Sequence, residues 1–550
     1  MRKAQKTKLV ATLAVLAPLV LASCGGNDDS GADVRKGGSI RVGTTGPDSF
    51  DPVLAQSIQA YQPLQLVYTP LLTYKDGAAD GSELIPGLAE AMPQVTDGGK
   101  TYRLRLRRGL HYTDGSPVRA SDFEHSVKRA LALGSPWSSF YSGIVGADAF
   151  SERGGKEGGD IGGIEASDRT GEITIHLTEP DGTFPNVLAF VYTAPTPAAK
   201  SPFKSLTGSP PPGLGRYTIE VVNPSQEFVL TRNEHFDLEG IEPGRVRKIT
   251  AVVRGNVARL TQDVIDGRLD FSTENVTGDL LPTVRSRYGD RYREDPNPPN
   301  IYYFFMNVRT EPFDSRAVRE AVNYAVDSRA LVRLFGGRLR PTCNFLPPGV
   351  PGYEPNEPCP FGDPNGPGDI EKARSLVERS GRKGMKVTVW GYNTAPQPAV
   401  ADYYRDLLDR IGFEAETKIL NDRIYFQAVG NQKTKAQTGL TNWLQDFPNP
   451  ADFFGPLVSG EAIQETNNLN LSNSDDPDVN EKIAELKRTG DLERTAGDWA
   501  DLDREVVENA YNAPYGNEES STFFSERMDF ENCAGVHPVY GSNWARFCLK

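Results

Sequence analysis

Residues 97–131 read DGGKTYRLRLRRGLHYTDGSPVRASDFEHSVKRAL, and this stretch decides the fold. Tyr102, Leu104 and Leu106 alternate with Arg103, Arg105 and Arg107. A period of two with one apolar face is the pattern of a half-exposed strand. Asp114-Gly115 then turns the chain. Ser121 followed by Glu124 reads as a capping box, opening a helix that carries Phe123, Val127, Ala130 and Leu131 on one face. Strand, turn and capped helix thus follow one another within 35 residues.

Working outward, the chain keeps alternating strands with helices. Ser39, Ile40, Arg41 and Val42 form a strand-like start. Residues 301–307 read as a strand, followed by a helix burying Val318, Ala321, Val322, Ala325 and Val326. Residues 370–379 read as a helix ended near Gly381. A strand over 386–390, a helix over 399–411 and a strand over 413–419 make a βαβ unit, hence a parallel sheet. Asp476-Pro477 caps a further helix holding Ile483 and Leu486. The fold class is α/β, with at least two lobes. The glycine-rich stretch 154–163 reads as a surface loop, since it lacks the Lys-Ser/Thr ending of a phosphate cradle.

The N-terminus carries an address. Arg2, Lys3, Lys6 and Lys8 precede an apolar run over 9–21, which is too short for a spanning helix, and Leu21-Ala22-Ser23-Cys24 closes it. That pattern resembles a bacterial lipobox, which implies lipid attachment and cleavage at Cys24. An ordinary signal peptide with a chance cysteine is the other reading. Residues 1–23 are then a signal peptide and 24–37 a small, polar tether. Cleavage removes four positive charges and no negative ones, so the net charge of −13 becomes −17. Such acidity argues against nucleic acid as a partner. The remaining length exceeds one core, so two or three domains are expected.

Cys343, Cys359, Cys533 and Cys548 are an even set in an exported chain. Proximity favours Cys343–Cys359 and Cys533–Cys548 among the three possible pairings, each worth about 3 kcal/mol in the chain-entropy model. A zinc site is the rival, but no CxxC spacing supports it, and no metal or other cofactor is expected. His111, His125, His176, His235 and His537 are the only histidines, and neither HExxH nor GxSxG occurs. No catalytic residue is assigned. A surface hydrolase assembled from distant residues remains the alternative from the enzyme class.

Taken together, Leu88-Ala89-Glu90, the block from Asp97 to Val118, Ala120-Ser121-Asp122-Phe123 and the run Ser126-Val127-Lys128-Arg129-Ala130 resemble the signature of the bacterial extracellular solute-binding proteins of the peptide/nickel family. Asp48-Ser49-Phe50-Asp51-Pro52 is similar to the family's early Leu-Asp-Pro segment, with Phe50 in the leucine place. Gly213-Leu214-Gly215-Arg216-Tyr217 resembles its Gly-Thr-Gly-Pro-Tyr, departing at Leu214 and Arg216. Phe305-Met306-Asn307, Pro312-Phe313, Val318-Arg319 and Ala325-Val326-Asp327 resemble the entry into the second lobe. The resemblance implies a two-lobed fold like that of periplasmic binding proteins, with an extra subdomain in the first lobe and a hinge between lobes. On that scheme residues 38–300 form the first lobe, with the subdomain at about 78–200; 301–512 form the second, and 513–550 return to the first. Hinge crossings are expected near 297–302 and 510–515.

The resemblance also implies a role: a monomeric receptor that captures a peptide, or another small solute such as a nickel chelate or oligosaccharide, and delivers it to the permease subunits of an ABC importer. Asn442-Trp443-Leu444-Gln445-Asp446-Phe447-Pro448-Asn449-Pro450 resembles the family's Trp-x-x-Asp-Tyr-x-Asp-Pro. Asp446 then falls where peptide binders pair a carboxylate with the ligand ammonium. Trp443 lies where they pair backbone with the peptide main chain, and Asn442 and Leu444 would supply those groups. Thr44 and Thr45 are the candidates from the first lobe. For Asp446 the alternative is a turn cap before Pro448, and for Trp443 it is core packing.

Overall fold

The computed structural model describes residues 37–550 apart from 78–80, 157, 296–298 and 534–535. The lipobox with Cys24, nearly all of the tether and part of the first expected hinge crossing lie outside the described residues. Among those described, no helix is long and apolar enough to cross a membrane.

Two large sheets carry the two lobes. In the first lobe, five strands run in the order Phe271–Ser272, Ser39–Thr44, Lys248–Val253, Glu227–Arg232 and Tyr217–Asn223. Ser39–Thr44 is parallel to both its neighbours, and the remaining pairs are antiparallel. In the second lobe, six strands run in the order Leu339–Arg340, Asn512–Glu518, Asn300–Met306, Thr438–Leu444, Lys386–Tyr392 and Glu414–Leu420. The last two are parallel and joined by the helix Gln397–Ile411, so the βαβ unit forms as its alternation requires. Gly381 ends the helix Ile370–Ser380 in the left-handed region, and the Asp476 carboxylate caps Pro477–Lys487.

The block at 97–131 builds the extra subdomain. Thr101–Arg105 pairs antiparallel with Gln94–Thr96 and with Glu172–His176, and Ile164–Ser167 completes a four-stranded sheet. Tyr102 and Leu104 are buried while Arg103 and Arg105 are exposed, and Phe123 and Val127 of the helix Ala120–Ala132 share their core. The helix starts differently from the sequence reading, however. Ala120 is already helical, so Asp122 occupies the third position and its carboxylate accepts from the Arg119 N–H at 2.9 Å. Ser121 Oγ instead donates to Asp168 at 3.0 Å, and Glu124 pairs with Lys128. The Ser121–Glu124 box is displaced because a carboxylate at Asp122 can take the free N–H of Arg119, two residues before Ser121.

At 213–217 a glycine is kept by packing, and the departure at Arg216 has a physical reason. A Cβ on Gly215 would lie 2.4 Å from the Val67 carbonyl carbon, so this close crossing of backbones admits only glycine. Arg216 is a buried partner of Asp76 at 2.8 Å. Asp76 also accepts from Asn543 Nδ2, and Arg546 donates to the Asp76 carbonyl, which fastens the C-terminal segment to this edge of the first lobe. Phe50 is buried edge-on to Phe228.

Both disulfides form, Cys343–Cys359 and Cys533–Cys548, with Cα atoms 5.8 and 5.6 Å apart. The second return of the chain falls later than 510–515. Asn512–Glu518 remains a strand of the six-stranded sheet, and only Ser520–Phe523 leaves it, pairing antiparallel with Tyr292–Asp295. The boundary at 512/513 is thereby corrected: Ala513 and Tyr515 are buried in the second-lobe core, and the apolar alternation continues through them.

Candidate functional site: the seam between the lobes

The strand Thr438–Leu444 is central to the second lobe, but one of its edges is only half used. It pairs with Asn300–Met306 along its whole length, from Met306 opposite Thr438 to Asn300 opposite Leu444. On the other edge it meets Lys386–Tyr392 only at Thr438 and Gly439. From Thr441 to Leu444 that edge has no strand partner among the described residues. Trp443 is packed inward, with its ring 6.1 Å from Trp137 of the first lobe, while Asn442 and Leu444 keep part of their surface accessible. Tyr392 Oη donates to Asn442 Oδ1 at 3.4 Å.

Asp446 stands just beyond this edge. Its N–H donates to Asp452 Oδ2 at 2.8 Å, and its carboxylate lies 3.5 Å from Tyr192 Oη of the first lobe. Part of its surface is accessible, with Tyr192 and Asp452 against it. Burial drives its pKa up to about 8, opposed by the Tyr192 hydrogen bond. No Lys, Arg or His pairs with it among the described residues. The turn-capping role falls to Asn449, whose Oδ1 accepts from the Ala451 N–H at 2.9 Å.

The facing wall is aromatic. Trp137 stacks on Tyr192 with centroids 3.9 Å apart, and Tyr61 lies beside Tyr192 and Tyr540. Gln445 ties the Asp446 loop to the C-terminal segment through the Pro538 carbonyl at 3.2 Å, and its own N–H bonds the Pro299 carbonyl.

Thr44 and Thr45 sit at another part of the seam, and their polar groups are used within the protein. Thr44 Oγ1 accepts from Gly46 N–H, and both the N–H and Oγ1 of Thr45 donate to Glu274. The Thr45 carbonyl faces Arg423 of the second lobe at 3.5 Å. The structure therefore brings Asn442, Trp443, Leu444 and Asp446 together and leaves the two threonines apart from them. Further contacts between lobes come from Asn467 Nδ2 to the Gly134 carbonyl at 2.7 Å and from Lys487 to Asp181 at 2.9 Å.

Sequence reasoning missed Tyr192, Trp137 and Asp452. Nothing local marks the first two, which meet Asp446 and Trp443 across some 250 to 300 positions of chain. Asp452 did leave a signal: it is the single charge in the otherwise apolar helix Ala451–Val458.

Comparison with known proteins agrees with this architecture. The oligopeptide-binding protein OppA of Bacillus subtilis is 25% identical over 473 residues, covering 81% of this chain and 83% of OppA. Among solved structures, the clavulanic acid biosynthesis oligopeptide binding protein 2 superposes with a TM-score of 0.79 at 26% identity, covering 94% of this chain and 96% of that one. The Escherichia coli murein tripeptide binding protein MppA gives 0.78 at 19% identity, covering 94% of this chain and 99% of that one. Its unliganded open form gives 0.63. The contacts between the lobes fit that order, since an open form separates such surfaces. The model of the bacterial extracellular solute-binding proteins, family 5 (middle region), matches residues 83–465, and the chain belongs to that family.

Proposed function

We propose that this protein is a lipid-anchored receptor that captures peptides with a free amino terminus and presents them to the permease of an ABC importer. The observation that carries the reading is the Asp446 carboxylate: it is enclosed between the lobes, has no basic side chain paired with it, and stands next to the unpartnered strand edge at 441–444. A carboxylate held so is costly unless a cation joins it, and a ligand ammonium is such a cation. The strand edge supplies main-chain hydrogen bonds that ignore side-chain identity, so affinity and breadth of cargo come together. Trp443 and the Trp137–Tyr192 stack close the cleft around them. Closure about the 292–295 and 520–523 pair would present the ligand-bound shape to the permease, a shift of populations with no reaction.

Relatives that are oligopeptide- and glutathione-binding proteins support a peptide cargo. Asp446→Ala is expected to weaken binding of free-amine peptides by about 2–5 kcal/mol and to leave their N-acetylated forms nearly unchanged. Equal loss for both would remove Asp446 from this role. Native mass spectrometry of the domain purified from its producing cell checks the cargo class. Recovery of a metal chelate or a sugar, with no peptide, would overturn the peptide reading. Attachment through Cys24 keeps the receptor close to its permease, so Cys24→Ser should lower uptake while ligand affinity in the purified domain stays the same.

A further inference from the structure

Asp446 has a second acid beside it. Asp452 lies in the first turn of Ala451–Val458 and is completely buried. Its Oδ2 accepts the Asp446 N–H at 2.8 Å and faces Trp443 Nε1 at 3.4 Å. Its Oδ1 is buried with no hydrogen-bond partner among the described residues. A bare carboxylate oxygen in such a place is costly unless a proton or a cation occupies it.

Among the described residues, the surrounding elements bring no cation to the pair. Tyr192, Tyr61, Tyr74 and Tyr540 face the pair from the first lobe and the C-terminal segment, and burial raises the pKa of all four phenols. His537 stacks on Tyr540 at 4.2 Å, but burial lowers its pKa to about 4, so it is neutral. Asp48, a third acid near Tyr192, is capped by Ser57 and the Gln56 N–H. Burial raises Asp452 as it raises Asp446, and the negative charge of Asp446 raises it further. Two like charges enclosed this closely do not ionise independently.

We propose that Asp446 and Asp452 act as one acid pair, protonated and uncharged in the empty cleft, that gives up one proton when a cationic ligand group binds. Binding of an ammonium then sends one proton to solvent: R–NH3+ and the neutral, doubly protonated pair become the ion-paired complex, in which the pair keeps one proton, and H+. Asp452 is thus a specificity-determining residue. It makes the anchor neutral towards an uncharged ligand and anionic towards a cation, so neutral ligands receive no charge assistance. This inference rests on the assignment of Asp446 to the ligand ammonium.

Two measurements test it. The first needs no ligand: infrared spectra of the protein at pH 6.5 should show a protonated-carboxyl stretch that weakens in Asp446→Asn and again in Asp452→Asn. Absence of the band in wild type overturns the proposal, and so does an undiminished band in either variant. The second adds a random tetrapeptide library, and separately its N-acetylated form, in weak buffer with a pH indicator. Bound peptide is counted after gel filtration. At pH 6.5, where α-amines are charged, about one proton should leave per free-amine peptide bound and almost none per acetylated peptide. Binding without release from the free-amine library overturns the pair. No binding of either library counts against the peptide reading instead, while the infrared result still decides whether both acids are protonated in the empty cleft.

Discussion

The subdomain block at 97–131 and the segment at 438–452 are two short stretches of one chain with opposite habits. The first satisfies itself. Its strand is paired on both sides, its helix N–H is capped from within by Asp122, and Tyr102, Leu104, Phe123 and Val127 fill one small core. Among the described residues, the second leaves groups unspent: a strand edge without a partner, a carboxylate without a cation and a buried oxygen without a donor. A stretch that completes its own hydrogen bonds builds a scaffold. One that stops short of completion, inside a cleft, is where a ligand gains the most.

That contrast can be broken by mutation. Phe123→Ala should cost about 3–5 kcal/mol of stability, read by chemical denaturation, because it opens a cavity in a closed core. The surviving folded protein should still prefer free-amine over acetylated peptides. A lost preference would mean the subdomain shapes the site and is more than scaffold. Arg216→Met should be of similar size, about 3–5 kcal/mol, because it leaves Asp76 buried without its ion partner. Asp76→Leu with Arg216→Met should recover much of that loss. Opening Cys343–Cys359 by a double Cys→Ser substitution should cost about 3 kcal/mol and leave ligand preference unchanged.

The smallest effect sharpens the comparison from the other side. The folded-state pKa of Asp446 is raised to about 8, above its unfolded value, so the ligand-free protein binds more protons than the unfolded chain between these two values. Stability from this group is complete below the unfolded pKa and is lost as pH rises through about 8. Asp446→Asn should therefore raise the melting temperature of the ligand-free protein at pH 8 and change it little at pH 4. A site residue that stabilises when replaced is one kept for binding. A destabilising Asp446→Asn at pH 8 would place Asp446 with the scaffold.

The sequence was most readable where structure is local. The period-two strand, the helix face at 123–131, the βαβ unit over 386–420 and both disulfides depend on neighbours within a few tens of residues. Even there, the capping group of the helix at 120 was hidden, because Ser121 and Asp122 both offer an oxygen and only the backbone path selects between them. In the site, Asp446 and Trp443 were legible through resemblance to a family motif, whereas Thr44 and Thr45 turned out to spend their polar groups on Gly46 and Glu274.

By itself, then, the sequence determined the class of fold, the acidic composition of the chain and the carboxylate at 446. Only the tertiary structure decided what that carboxylate meets. Tyr192 reaches it across 254 positions, and Asp452 becomes its partner because a turn at 447–450 folds an acidic helix start back onto its N–H. Periodicity reports which face of an element is buried. It does not report which two faces meet, and the energy of a charge in a cleft is set by that meeting.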